Sequence, residues 1–282
     1  MFNSNKEPLC TYYNIIFETH HALYHSNLYF YQMNRNVMNY TIEVCCESLY
    51  SAQVAANAGA HRLELCTALD LGGLTPSQGL INRVCKSVEI PVFVLIRPRR
   101  GNFCYSAGEV DVMLSDIGIA LDSGAAGIVS GALDTCGNID IETTSALMHA
   151  CKGKPFTFHR AFDRTADKFQ ALEKLITMGV QRILSSGGAS TAQLGIATLK
   201  RLIEQSANQI IVMPGGGIKP ENIREIAETG AKEFHFSARQ AVVLHSTLPQ
   251  SVVKLNNGEL DENQYFECSS EILQRIIKQL TH

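Results

Sequence analysis

The 282-residue chain reads as an α/β protein folded as a single (β/α)8 TIM-like barrel. Three observations predict this. Four helix ends carry one signature, Ala58-Gly59-Ala60, Ser123-Gly124-Ala125, Met178-Gly179-Val180 and Thr229-Gly230-Ala231, each placing glycine where a helix closes in a left-handed residue. Short apolar segments follow these ends and alternate with others of the same kind, eight in all. The glycine turn Gly215-Gly216-Gly217 comes after the seventh segment, whereas an open doubly wound sheet usually carries its phosphate turn after the first.

In chain order, strands are predicted at Ile42 to Cys45, Arg62 to Cys66, Pro91 to Ile96, Gly127 to Ser130, Pro155 to Phe158, Arg182 to Ser185, Gln209 to Met213 and Glu233 to Phe236. Each is short, apolar and bounded by turn residues, as a strand buried on both faces should be. The intervening segments have helical spacing, as in Val110, Met113, Leu114, Ile117 and Leu121, or Phe169, Leu172, Leu175 and Ile176. Thr75-Pro76 and Lys219-Pro220 are read as placing proline at the first helical position, and Ser106 with Glu109 as a capping box. Gln240 to Gln264 is polar and irregular. Ile272, Leu273, Ile276, Ile277 and Leu280 then predict a final helix.

The organisation expected is an extension over residues 1–38 outside the fold, the barrel over 39–240, and a tail with its helix over 241–282. Residues 1–37 are rich in tyrosine and phenylalanine, yet no apolar run approaches the ~18 residues of a membrane span, and no signal or transit pattern is present. A net charge of -3 without a basic run leaves no electrostatic footprint for nucleic acid. Nine cysteines, an odd number with no C-x-x-C pair, indicate free thiols in a reducing cytoplasm.

Barrel strands deliver their C-terminal residues to one mouth. By the period-two rule Glu43 and Cys45 share a face of the first strand, and Glu64 and Cys66 a face of the second. Inward-facing carboxylates need cationic partners, for which Arg97 and His159 are the candidates. His159 and Asp163, four residues apart, have the makings of a general acid/base pair, with His235 at the end of the eighth strand. Gly216 and Gly217, with Ser237 and Arg239 after the last strand, match the anion site that barrels form from their final two loops. Inward thiols near carboxylates could hold a soft ion such as Cu(I), but no local ligand motif supports a metal, and spacing alone favours each cysteine as a small buried hydrophobe.

Glu43-Val44-Cys45-Cys46-Glu47-Ser48, Arg62-Leu63-Glu64-Leu65-Cys66, Gly72-Gly73-Leu74-Thr75-Pro76-Ser77, Ile96-Arg97-Pro98-Arg99, Thr157-Phe158-His159-Arg160-Ala161-Phe162-Asp163 and Met213-Pro214-Gly215-Gly216-Gly217 together resemble the CutC family of copper homeostasis proteins. The resemblance runs from about Asn39 to Arg239. It implies a TIM-like barrel, a cytoplasmic location, a homo-oligomer and Cu(I) binding, with Cys45 and Cys66 matching the cysteines proposed to hold copper. Beyond Arg239 the chain lacks the aromatic-Arg-Asn segment that members often carry. Two functions follow as expectations: copper handling through Cys45 and Cys66, or a metal-independent enzyme acting on a small phosphorylated or carboxylated metabolite, its chemistry carried by Glu43, Glu64, Arg97, His159, Asp163 and His235. A third is a polar mouth that only braces the barrel. No nucleotide cofactor, nucleic acid or membrane partner is expected.

Overall fold

The computed structural model describes residues 40–243 and 263–281, so the expected extension over 1–38 and much of the polar stretch before the last helix lie outside the described residues. The predicted barrel forms. Its strands are β1 (Thr41–Cys46), β2 (Arg62–Leu65), β3 (Val92–Leu95), β4 (Gly127–Ser130), β5 (Phe156–Phe158), β6 (Arg182–Ser185), β7 (Ile211–Pro214) and β8 (Glu233–Phe236). They pair in parallel in the order β7-β6-β5-β4-β3-β2-β1-β8. A parallel bridge between Gly215 and His235 brings β7 to β8 and closes the ring.

Seven helices connect successive strands: α1 (Leu49–Asn57), α2 (Gln78–Ser87), α3 (Ala107–Asp122), α4 (Ile141–Ala150), α5 (Lys168–Thr177), α6 (Ile196–Ser206) and α7 (Ile223–Ala227). Side-chain caps start several of them: Ser48, Ser77, Asp140 and Asp167 accept from first-turn amides, and Ser106 with Glu109 completes the predicted capping box. The glycines of the four repeated helix ends, Gly59, Gly124, Gly179 and Gly230, have φ of 108°, 103°, 79° and 89°, the conformation that a side chain would strain. The two prolines are not at first helical positions. Pro76 and Pro220 sit in the approach to α2 and α7, and Ser77 and Asn222 occupy the N-cap positions.

The outer faces of the strands and the inner faces of the helices form one apolar core, including Ile42, Val44, Leu63, Leu65, Val94, Ile128, Phe156, Phe158, Ile183 and Phe234. After the barrel, β9 (Arg239–Val243) pairs antiparallel with β10 (Gln264–Cys268), where the sequence predicted irregular chain. Glu267 of β10 accepts from the Ser48 and Ser51 hydroxyls, and Ser51 Oγ accepts from Cys268 N at 2.9 Å. These bonds fix the start of α8 (Ser270–Thr281), which buries Leu273 and Ile276 and packs on α7 and α1. Among the described residues no helix is long and apolar enough to cross a membrane.

Candidate metal site

The barrel interior is built in layers of side chains from alternate strands. At the strand starts, Arg62 of β2, Arg182 of β6 and Glu233 of β8 interlock: Glu233 accepts from Arg62 Nη2 at 2.6 Å and from Arg182 Nε at 2.6 Å. Both guanidinium groups lie over the Phe93 ring, 4.9 and 5.6 Å from its centroid. Register places Glu43 beside Arg62 on one side and His235 on the other, and Cys45 beside Glu64. The ring floor is thus an ion network packed on Phe93, with Met213 and Thr157 also touching its arginines.

Glu43 is fully buried and bound by Arg62 Nε and by His235 Nδ1, the latter at 2.8 Å. Burial would raise its pKa, but Arg62 and His235 override burial and hold it at about 2. Its partners are therefore Arg62 and His235, not the Arg97 and His159 expected from sequence. Arg97 and His159 follow the ends of β3 and β5 and make their contacts at the rim instead. His235 is pushed above its ordinary pKa: burial lowers it, and Glu64 and Glu43 more than compensate.

Above this pair, Cys45 Sγ donates to Glu64 Oε1 at 3.5 Å and lies 3.3 Å from Cys66 Sγ. All three side chains are buried, among Phe93, Leu95 and Val129. The Cys66 contact, then burial, raises the Cys45 thiol far above its ordinary pKa. Burial also raises Glu64, with Glu43 adding to it and His235 opposing. Glu64 Oε2 is buried without a hydrogen-bond partner. Cys45, Glu64 and His235 each present a ligand atom, all within 4.8 Å of one another.

The other residues singled out from sequence occupy the rim. Arg97 Nη1 donates to Leu71 O at 3.0 Å and Gly73 O at 2.9 Å, tying the β2–α2 loop to β3, and its guanidinium stacks on Phe103. His159 packs edge-on against Phe103, with ring centroids 4.8 Å apart, and its Nε2 is buried without a partner. Burial, then the nearby Arg97 charge, lowers its pKa to about 3, so the imidazole is neutral. Asp163 does not orient His159. Its carboxylate instead accepts from Ser185 Oγ at 2.6 Å, Ser186 N and Gly188 N at 3.0 Å, and Arg160 Nε at 2.8 Å, filling the β6 loop. Nor does Arg239 join Gly216 and Gly217: it pairs with Asp70 Oδ1 at 2.6 Å and with Glu47, over Phe266 of β10. The cation beside the glycine turn is Arg160, whose Nη1 stands 3.1 Å from where a Gly216 Cβ would be. Ser237 follows β8 directly, half-buried between His235 and Arg239.

Residues 40–240 match the model of the CutC family. The chain belongs to the CutC family. It is 47% identical over 231 residues to the human copper homeostasis protein cutC homolog, covering 82% of each chain, and 50% identical over 203 residues to the mouse homolog, covering 72% of this chain and 75% of that one. A crystal structure of CutC from Streptococcus agalactiae superposes with a TM-score of 0.67 at 35% identity, covering 70% of this chain and 98% of that one.

In this CutC-family barrel, the sequence reading missed Arg62, Arg182, Glu233 and Arg160. The signal for the first three was available. Arg62 and Glu64, Arg182 and Leu184, and Glu233 and His235 are each two apart on a strand, so the same alternation that turns Glu64 inward turns Arg62 inward. Arg160 had no such signal, because its position follows from the short 3-10 turn Arg160–Arg164 rather than from strand period.

Proposed function

We propose that this chain acts in copper homeostasis in the cytoplasm, holding one Cu(I) between Cys45 and Cys66. The observation that carries this reading is the pair of thiols 3.3 Å apart, buried and lined by Phe93, Leu95 and Val129. Cu(I) is a soft ion that favours thiolates in low coordination number, and two buried thiols beside Phe93, Leu95 and Val129, with the Glu64 carboxylate next to Cys45, suit an ion bound by few ligands. The names of the human and mouse relatives point the same way. The raised Cys45 pKa means that copper displaces a thiol proton on entry, so binding weakens as pH falls. A homo-oligomer of such barrels is part of the same reading.

The test is Cu(I) affinity by competition with a chromogenic chelator, in the wild type and in the Cys45→Ser/Cys66→Ser double variant. The reading predicts a loss of at least ~100-fold, since both soft ligands go. Unchanged affinity ends it.

The acid/base alternative has less support. A His159 pKa of about 3 is poorly matched to proton transfer near neutral pH, Asp163 is committed to the β6 loop, and Arg239 is committed to Asp70 and Glu47.

A further inference from the structure

We infer that the barrel mouth also contains a site for a borderline divalent ion of the Zn²⁺ class, formed by the Cys45 thiolate, the Glu64 carboxylate and the His235 imidazole, with the fourth position open. This goes beyond the dithiolate Cu(I) reading and shares only Cys45 with it. The three ligand atoms lie within 4.8 Å of one another. Around a tetrahedral ion with bonds of ~2.0–2.3 Å, ligand atoms stand roughly 3.3–3.8 Å apart, so the cluster needs to contract by at most about 1–1.5 Å. One sulfur, one nitrogen and one oxygen form a mixed set that suits Zn²⁺ better than Cu(I). Cys66, though 3.3 Å from Cys45, is outside this group.

Two independent features point to a cation here. Glu64 is buried, yet its Oε2 has no hydrogen-bond partner, so its charge is only partly compensated. His235 is oriented as a metal-binding histidine usually is: its Nδ1 stands 2.8 Å from Glu43, and the neutral tautomer with its proton on Nδ1, which that carboxylate favours, keeps the Nε2 lone pair for an ion. Arg62 in turn fixes Glu43, so the ionic floor of the barrel serves as the orienting layer beneath the ligands. Loading the site exchanges the Cys45 thiol proton, and any proton on the Glu64 carboxyl or second proton on His235, for the ion, and these protons leave to solvent.

Co²⁺ is the probe, because a thiolate ligand gives it a near-ultraviolet charge-transfer band and tetrahedral geometry gives intense visible bands. The proposal expects both bands in the wild-type protein, displaced by Zn²⁺. It expects them retained in Cys66→Ser, with affinity weakened on the order of 10–100-fold or more in Glu64→Gln, the size associated with losing even an orienting partner of a ligand. Cu(I) affinity should show the reverse pattern, reduced by Cys66→Ser and little changed by Glu64→Gln, so failure of either site is distinguishable from failure of the other. Should Glu64→Gln not fold, X-ray absorption of the Zn²⁺-loaded wild type decides: one sulfur with nitrogen and oxygen scatterers supports the site. A sulfur-only shell, absence of Co²⁺ binding, or Co²⁺ binding indifferent to Glu64→Gln overturns it.

Discussion

Replacing Arg62 by methionine removes a cation that two carboxylates share at the floor of the barrel. Glu233 keeps Arg182 at 2.6 Å, so the residue orphaned is Glu43, fully buried and left with His235 alone. Breaking a buried pair by deleting one partner costs ~3–5 kcal/mol. The methionine retains much of the packing on Phe93, so the loss reports charge rather than volume. For a chain of this length, each kcal/mol moves the midpoint by ~2–4 °C, so thermal unfolding is predicted to fall by roughly 6–20 °C. The assay is calorimetry alongside urea unfolding, with Arg62→Met/Glu43→Gln as comparison. Removing both charges should recover much of the loss, because the cost lies in the uncompensated carboxylate. An Arg62→Met midpoint equal to the wild type, or a double variant no better than the single, would refute the reasoning.

Three other perturbations test different parts of the structure. His159 has its folded pKa lowered to about 3 from an unfolded value near 6.5, so its contribution is present above pH ~6.5 and is lost as pH falls toward 3. Urea midpoints across that window should therefore fall less steeply in His159→Phe than in the wild type; parallel profiles would contradict this. Asp163→Ala leaves the β6-loop amides of Ser186 and Gly188 and the Ser185 hydroxyl without their acceptor, with an expected loss of ~2–4 kcal/mol in urea unfolding, and a loss under ~0.5 kcal/mol would show that Asp163 is not the loop's anchor. Gly215→Ala places a Cβ 2.5 Å from Leu184 Cδ1 and 3.3 Å from His235 Cβ at the seam of the barrel. The expected cost is ~1–3 kcal/mol by calorimetry, and a neutral result would mean that the seam is looser than described.

The fold was legible because its signals are local. A glycine at each of four helix ends and a short apolar strand after each are properties of neighbouring residues, and every predicted strand overlaps an observed one. The site was legible only along single strands. Alternation placed Glu43 with Cys45 and Glu64 with Cys66, but which cation faces Glu43 depends on stagger between strands, and stagger selected Arg62 and His235. The same limit applies to the β9–β10 pair, whose partners are separated by a stretch far too long for a tight hairpin, so local spacing does not join them. Arg239 illustrates the consequence: assigned to the glycine turn by its place after β8, it begins β9 and turns to Asp70 and Glu47.

The most direct measurement of the central claim is copper K-edge X-ray absorption on protein loaded with one equivalent of Cu(I) under anaerobic conditions. The account predicts an edge typical of monovalent copper and a nearest shell containing two sulfur atoms, reduced in both Cys45→Ser and Cys66→Ser. A shell of nitrogen and oxygen alone, or a two-sulfur shell that survives loss of either cysteine, would contradict it.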